Sequence, residues 1–357
     1  MKNNETRWWG TAAPGHFFAL YLPMVLLMAG LCCFGGTGEG LAAGAVKVGL
    51  NYPKTGPYAD LGLDQLRGAR LACDEINAAG GIMGRQVELV VMDSASKPAR
   101  AVANVKEMIG QEKVTMVLGG ASSSVAAAVS EVCYQRGVLN MITIAGAPAL
   151  TGANAHRTTF RVCYNSTMDT RALAMFLTEH YADTKYFYIT ADCPMGRQLE
   201  QDLRKLTGTE DAAVHKSVQT PFPNVKQNDF ARAMRVAEKE RPDILLLVQF
   251  GKNVSTGIMQ ASIMGLKQQT QIVVPFLELT STEGIPPKIL EGVIGTTDWA
   301  WEVPYRYNYR KGIAFVESYD KAYKRYPSWG AASAYTILHE YKAAVERART
   351  FRTPAVI

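Results

Sequence analysis

From Val46 onwards the chain alternates short apolar, β-branched runs with longer stretches in which apolar residues recur at helical spacing. Residues 46–51 read as a strand, 63–78 as a helix that Gly80-Gly81 terminates, and 87–92 as a second strand. Residues 98–109 follow as a helix begun by proline, where a missing amide costs nothing, and 114–118 close the unit as a strand. Gly119-Gly120 then turns the chain into an alanine-rich helix opened by Ser122 to Ser124, which leads to another buried strand. After Cys163 the rhythm restarts, with helices at 168–180, 196–206, 229–238 and 254–264 and strands at 186–190, 214–219, 244–248 and 271–275. One more strand-like piece begins at Val293, and amphipathic helices follow near 313–326 and 331–347. Strands and helices in regular turn predict parallel sheets covered by helices, here as two α/β lobes with a cleft between them.

The segment before this pattern has the make-up of an export signal. Lys2 and Arg7 precede an apolar run, 17–34, broken only by Pro23 and Gly30, and Ala43-Gly44-Ala45 lies just ahead of Val46. Residues 1–45 are therefore expected to be a signal peptide, cleaved to leave a mature start between Gly44 and Val46 in the periplasm. An uncleaved anchor is the competing reading, since the run approaches the ~20 residues a membrane helix needs. The remainder is long enough for two domains with real cores. Removing residues 1–45 takes away Lys2, Arg7, Glu5 and Glu39, so the net charge stays +6. That charge is scattered apart from 305–311 (YRYNYRK), which reads as a solvated loop flanking a cleft and not as a nucleic-acid surface. Cys73 and Cys133 fall in expected helices as core residues; Cys163 and Cys193 each sit at a strand end, where a disulfide is allowed in an oxidising compartment.

No catalytic signature survives inspection. Ser94 to Lys97 fits S-x-x-K and Lys54 to Gly56 fits K-T-G, but their order is reversed and no S-D-N lies between them. His339-Glu340 lacks the second histidine of a zinc-protease helix, and Asp93 reads as a loop cap. Enzymatic activity thus has no residue-level support, and neither a cofactor nor a metal is expected. The chain's most suggestive stretch is Ser122-Ser123-Ser124, where free helix amides, the positive helix end and hydroxyls together can hold a carboxylate. Ser122 as a simple N-cap is the plainer alternative.

Taken together, five pieces in order resemble the type I periplasmic solute-binding proteins of the branched-chain amino acid branch: TGPYADLG (55–62), GARLACDEINAAGGIMGR (68–85), LGGASSSVAAAVSEV (118–132), GVLNMITIAGAPALT (137–151) and FVESYDKAYKRYPSWGAASAY (315–335). The resemblance implies two doubly wound Rossmann-like lobes with a hinge and a central ligand cleft, lobe 1 from 46–162 and 295–357 and lobe 2 from 163–294. It implies a monomeric carrier that hands a small-molecule ligand to the permease subunits of an ABC importer and binds no nucleic acid; the same fold also serves as a ligand-sensing ectodomain. By position, the ligand's acid group falls to Ser122, Ser123, Ala145, Gly146 and Ala147, and its other contacts to Met195, Phe250 and Phe276. The acidic partner of an amino-acid ammonium would fall at Phe276, so the charge is displaced to Glu278; the expected ligand class is an amino acid, an amide or an apolar or aromatic carboxylate, and the last two fit these positions better than an α-amino acid. Members of this branch continue with a third hinge strand beyond the last helix, so the chain is expected to be incomplete at that end.

Overall fold

The computed structural model describes residues 44–357. Apart from Gly44 and Ala45, the expected export segment lies outside the described residues. Among those residues no helix is long and apolar enough to cross a membrane.

The first lobe is built from β1 (Val46–Tyr52), α1 (Ala59–Ala78), β2 (Val87–Asp93), α2 (Pro98–Gly110), β3 (Met116–Gly119), α3 (Ser123–Arg136), β4 (Leu139–Ile142) and β5 (Thr159–Arg161). Its five strands are all parallel, in the order β2-β1-β3-β4-β5. Alternate side chains of each strand reach opposite faces. Val48 and Leu50 pack with Leu66, Ala69 and Ile76 of α1, whereas Val117 packs with Val105 and Met108 of α2 and Val129 of α3. Strand β3 begins two residues later than the pattern predicts, because the Val114 amide is spent closing the end of α2 on Met108 O at 3.1 Å.

The second lobe follows with α4 (Ser166–His180), β6 (Tyr186–Ala191), α5 (Pro194–Thr207), β7 (Ser217–Thr220), α6 (Gln227–Glu240), β8 (Ile244–Val248), α7 (Lys252–Ile263), β9 (Gln271–Val274), α8 (Leu279–Thr282), α9 (Pro287–Leu290) and β10 (Ile294–Gly295). These strands too are parallel, in the order β10-β9-β8-β6-β7. On β6, Tyr186 and Tyr188 face Leu199 and Leu203 of α5, while Phe187 and Ile189 face Phe230 and Met234 of α6. The expected strand at 214–219 shifts to Ser217–Thr220, since Asp211 draws Ala213 and Val214 into a turn.

The chain then returns to the first lobe through α10 (Val303–Arg306), α11 (Arg310–Tyr323), α12 (Trp329–Ala348) and α13 (Thr353–Val356). Helix α12 lies against α1, adding Ile337, Leu338, Tyr341 and Val345 to the β1 face; each such side chain contributes roughly 1.5–3 kcal/mol when fully buried. The backbones come close enough at Gly68 that a Cβ there would lie 2.2 Å from Ala331 O. Two segments cross between the lobes, 162–165 after β5 and 296–302 after β10. They are tied together where the Tyr164 amide donates to Asp298 Oδ2 at 3.2 Å.

Candidate functional site: the cleft between the lobes

The loops that leave the carboxyl ends of β1, β3 and β4 in one lobe face those that leave β6, β8 and β9 in the other. Open parallel sheets place ligands at this edge. A cavity of about 50 Å³ lies there, lined on one side by Tyr58, Leu61, Ala121, Ser122, Ser123, Ile144 and Gly146 and on the other by Met195, Phe250, Gly251, Phe276, Glu278 and Ser281, with Tyr164 and Trp329 at its back.

At the start of α3 the two candidate serines divide the work. Ser122 is the N-cap, its hydroxyl accepting from the Val125 amide at 3.3 Å and lying 3.3 Å from Ser124 Oγ. Ser123 is the first helical residue, and its buried hydroxyl has no hydrogen-bond partner. Trp329, 5% exposed, likewise buries its Nε1 without a partner. Leaving a buried donor unmet costs about 1–3 kcal/mol, and two of them on the wall of one cavity beside a positive helix end make it ready for an acceptor, preferably charged.

The remaining wall is aromatic. The Tyr164 ring sits 4.6 Å from Trp329 and 4.7 Å from Phe276, and Phe276 sits 6.1 Å from Phe250. Phe276 holds a φ of 56°, a region that favours glycine. Glu278 lies in the wall, almost fully buried, as the N-cap of α8. Its carboxylate accepts from the Thr280 amide at 3.1 Å, from Ser281 Oγ at 2.9 Å and from the Thr280 hydroxyl. No cation pairs with it among the described residues, and burial pushes its pKa up against these hydrogen bonds. Asp169 of α4 is also buried, and desolvation lifts it to about 6. Asp298, on the second crossing, is exposed as a residue while its carboxyl is turned to the Tyr164 amide, and desolvation there raises it to about 7.

Of the residues expected from sequence, Ser122, Ser123, Gly146, Met195, Phe250, Phe276 and Glu278 are brought together on this cavity. Ala145 and Ala147 do not line it. The Ala145 amide is spent on Gly120 O at 2.9 Å, and Arg161 Nη1 takes the carbonyls of Ala145 and Ala147 at 3.3 and 2.9 Å, anchoring this loop to β5. Sequence reasoning missed Tyr58, Tyr164 and Trp329, although Tyr58 and Trp329 lie inside two of the pieces that carry the family resemblance. The basic and aromatic residues 305–311 line no part of the cavity. Cys73, Cys133, Cys163 and Cys193 are all free thiols, and Cys193 caps α5 by accepting from the Gly196 amide at 3.4 Å. Asp93 fastens the β1 and β2 loops together, accepting from the amides of Lys54 and Ala95 at 3.0 and 2.7 Å, so the K-T-G and S-x-x-K residues belong to one loop junction. A larger cavity, about 440 Å³, opens between Tyr181, Lys185, Thr209 and His215, but no buried unmet polar side chain faces it.

Two parallel α/β lobes that enclose an aromatic cleft with unmet donors define a two-lobed solute-binding protein of type I fold. The chain belongs to the periplasmic binding protein family, whose profile it matches over residues 45–357, a family of binding proteins and not of enzymes. It is 27% identical over 247 residues to a Leu/Ile/Val-binding protein homolog of Brucella abortus, a match covering 68% of this chain and 63% of that protein, so less than two thirds of the relative's length is spanned. Among solved structures it resembles a branched-chain amino acid transporter substrate-binding protein of Streptococcus pneumoniae in complex with isoleucine (TM-score 0.73, 22% identity, 87% of each chain). A solute-binding protein of an ABC transporter from R. palustris, in complex with benzoate, is similar to the same degree (TM-score 0.74, 22% identity, 88% of this chain and 85% of that one). At such identities the likeness is one of fold.

Proposed function

We propose that this chain is the ligand-capturing component of an ABC import system in the periplasm, exported by cleavage of residues 1–45 and delivering a small acid with an apolar body to membrane permease subunits. Lobe 1 comprises 46–162 and 295–357, and lobe 2 comprises 163–294. The ligand's carboxylate sits at the start of α3, on the Ser123 hydroxyl and Trp329 Nε1, and its body lies against Tyr164, Phe276, Phe250 and Met195. The observation that carries this reading is the pair of buried, unpartnered donors, Ser123 Oγ and Trp329 Nε1, on the wall of one interlobe cavity. Glu278 on the opposite wall supplies an acceptor for a ligand ammonium, so an amino acid stays in the ligand class beside aromatic carboxylates. Neighbours of this fold hold isoleucine and benzoate, one of each kind.

Mass spectrometry of the small molecule that co-purifies with the protein identifies the ligand directly. Calorimetry with that molecule, or with benzoate and isoleucine, then tests the site. Ser123→Ala and Trp329→Phe each remove one charge-assisted hydrogen bond, worth about 1.5–3 kcal/mol, and should weaken binding roughly tenfold or more. Unchanged affinity in both variants would remove the acid from the α3 end. N-terminal sequencing of protein from the envelope fraction tests export: a chain still beginning at Met1 on the membrane would overturn cleavage.

A further inference from the structure

A second cavity of about 300 Å³ opens beside the first, between Gly56 and Pro57 of one lobe and Phe222, Pro223, Asn224, Lys252 and Asn253 of the other. Phe250 is a wall of both cavities. Its half-buried ring stands edge-on to Phe222 at 5.9 Å on the outer side and 6.1 Å from Phe276 on the inner side. Aromatic rings thus continue from Trp329 through Tyr164, Phe276 and Phe250 to Phe222, no step longer than 6.1 Å. An apolar body longer than one ring can follow them once the Phe250 ring swings aside.

The outer end of this path is polar and positive. Helix α7 starts at Lys252 after Gly251 with no side-chain cap; the Asn253 and Val254 amides donate to Phe250 O and Gly251 O at 3.3 and 3.1 Å, which leaves the Lys252 amide at the helix start. Asn253, in that first turn, is 9% exposed, and its Nδ2 is buried without a hydrogen-bond partner. Lys252 meets Asp60 of the other lobe at 3.3 Å, both side chains exposed, so that carboxylate is already paired. The buried Asn253 side-chain amide beside the Lys252 backbone amide calls for an acceptor, and the helix dipole favours an anionic one.

We propose that the outer cavity is a second ligand subsite, and that the protein takes elongated acids whose far end carries a second carboxylate held by Asn253 Nδ2 and the Lys252 amide at the start of α7. This rests on the reading that the first acid group sits at α3. Compact ligands then fill only the inner cavity.

Calorimetry on the full chain with three probes tests this: benzoate, 4-phenylbutanoate and 4-(4-carboxyphenyl)butanoate. The diacid should bind about tenfold or more tighter than 4-phenylbutanoate. Asn253→Leu, of similar shape without the donor, should erase most of that advantage while benzoate stays within about twofold. Its thermal midpoint should be no lower than that of the parent, because an unmet polar group has gone. Asn253→Asp, which puts a negative charge beside the second carboxylate, should weaken the diacid alone and serves as the second variant should Asn253→Leu unfold. A diacid no tighter than the monoacid, or Asn253 variants that change all three probes by one factor, would overturn the outer subsite. Ser123→Ala run in parallel separates the two claims. If it weakens every probe while the Asn253 variants are silent, only the outer subsite falls; if it is silent, or no probe binds, the inner reading falls and the outer one with it.

Discussion

At residue scale the cavity distributes its polar roles so that structure and binding fall on different side chains. Ser122 is committed to capping α3, so Ser122→Ala should cost about 1 kcal/mol of stability, read as a lower midpoint in urea, whereas Ser123→Ala should leave that midpoint nearly unchanged. Glu278 decides between ligand kinds. With no cation beside it, its carboxylate opposes a second anion and attracts an ammonium. Glu278→Gln should therefore weaken isoleucine about tenfold or more and leave benzoate unchanged or tighter, checked by calorimetry on the same preparations. Equal losses for both ligands would make Glu278 a purely structural cap of α8. The α3 serines were legible in sequence because a hydroxyl run ahead of an alanine-rich helix is a local signal. Tyr164 and Trp329 were not, because what makes them part of the site is a 4.6 Å stacking between residues 165 positions apart in the chain, which no local spacing encodes.

At the scale of elements the strand–helix rhythm was readable wherever both partners were long enough to show a period. β5 went unread because three residues cannot display alternation, and β7 was placed too early because the Asp211 turn, which no apolar pattern reveals, withholds Val214 from the sheet. The α1–α12 contact depends on a close approach that is also silent in an apolar count. Gly68→Ala would place a methyl against a backbone carbonyl and should destabilise by about 1–3 kcal/mol in denaturant unfolding. A different vulnerability lies in Asp169, buried in α4, and Asp298, on the second crossing. In an unfolded chain an aspartate titrates near ~3.9, so from there up to about 7 the folded protein, whose Asp298 is raised to about 7, binds more protons than the unfolded one. The stability this linkage contributes is fully present below the unfolded value and is lost as pH rises through 6 and 7, where Asp169 and Asp298 ionise. The thermal midpoint should accordingly fall between about pH 4 and 7 by this contribution and level off above it, and Asp298→Asn, which keeps an acceptor for the Tyr164 amide, should flatten the fall. An unchanged slope in that variant would show that Asp298 is hydrated in solution.

For the whole molecule, the 50 Å³ cavity is far smaller than the roughly 300–1,000 Å³ of ordinary ligand pockets, so on the proposed reading we expect the lobes to part before a ligand enters and to close behind it. Ion pairs bridge the lobes: Lys252 of α7 to Asp60 of α1 at 3.3 Å, and Arg325, which lies 3.5 Å from buried Asp64 in its own lobe, to Glu283 of the other. Exposed pairs of this kind contribute at most about 1 kcal/mol each and are screened by salt, which suits a latch that must release. Such a latch acts on closure and not on recognition, so its loss lowers the fraction of closed protein and divides every ligand's affinity by the same factor. Asp60→Asn combined with Glu283→Gln should weaken benzoate and isoleucine alike, by roughly two- to tenfold, with the effect shrinking in high salt. Small-angle scattering should show the parent chain becoming more compact on adding ligand, and the double variant reaching the same compact form only at higher ligand concentration. A double variant that split the two ligands, as Glu278→Gln is expected to, would place these carboxylates in recognition instead; one that bound normally and never compacted would separate capture from closure altogether.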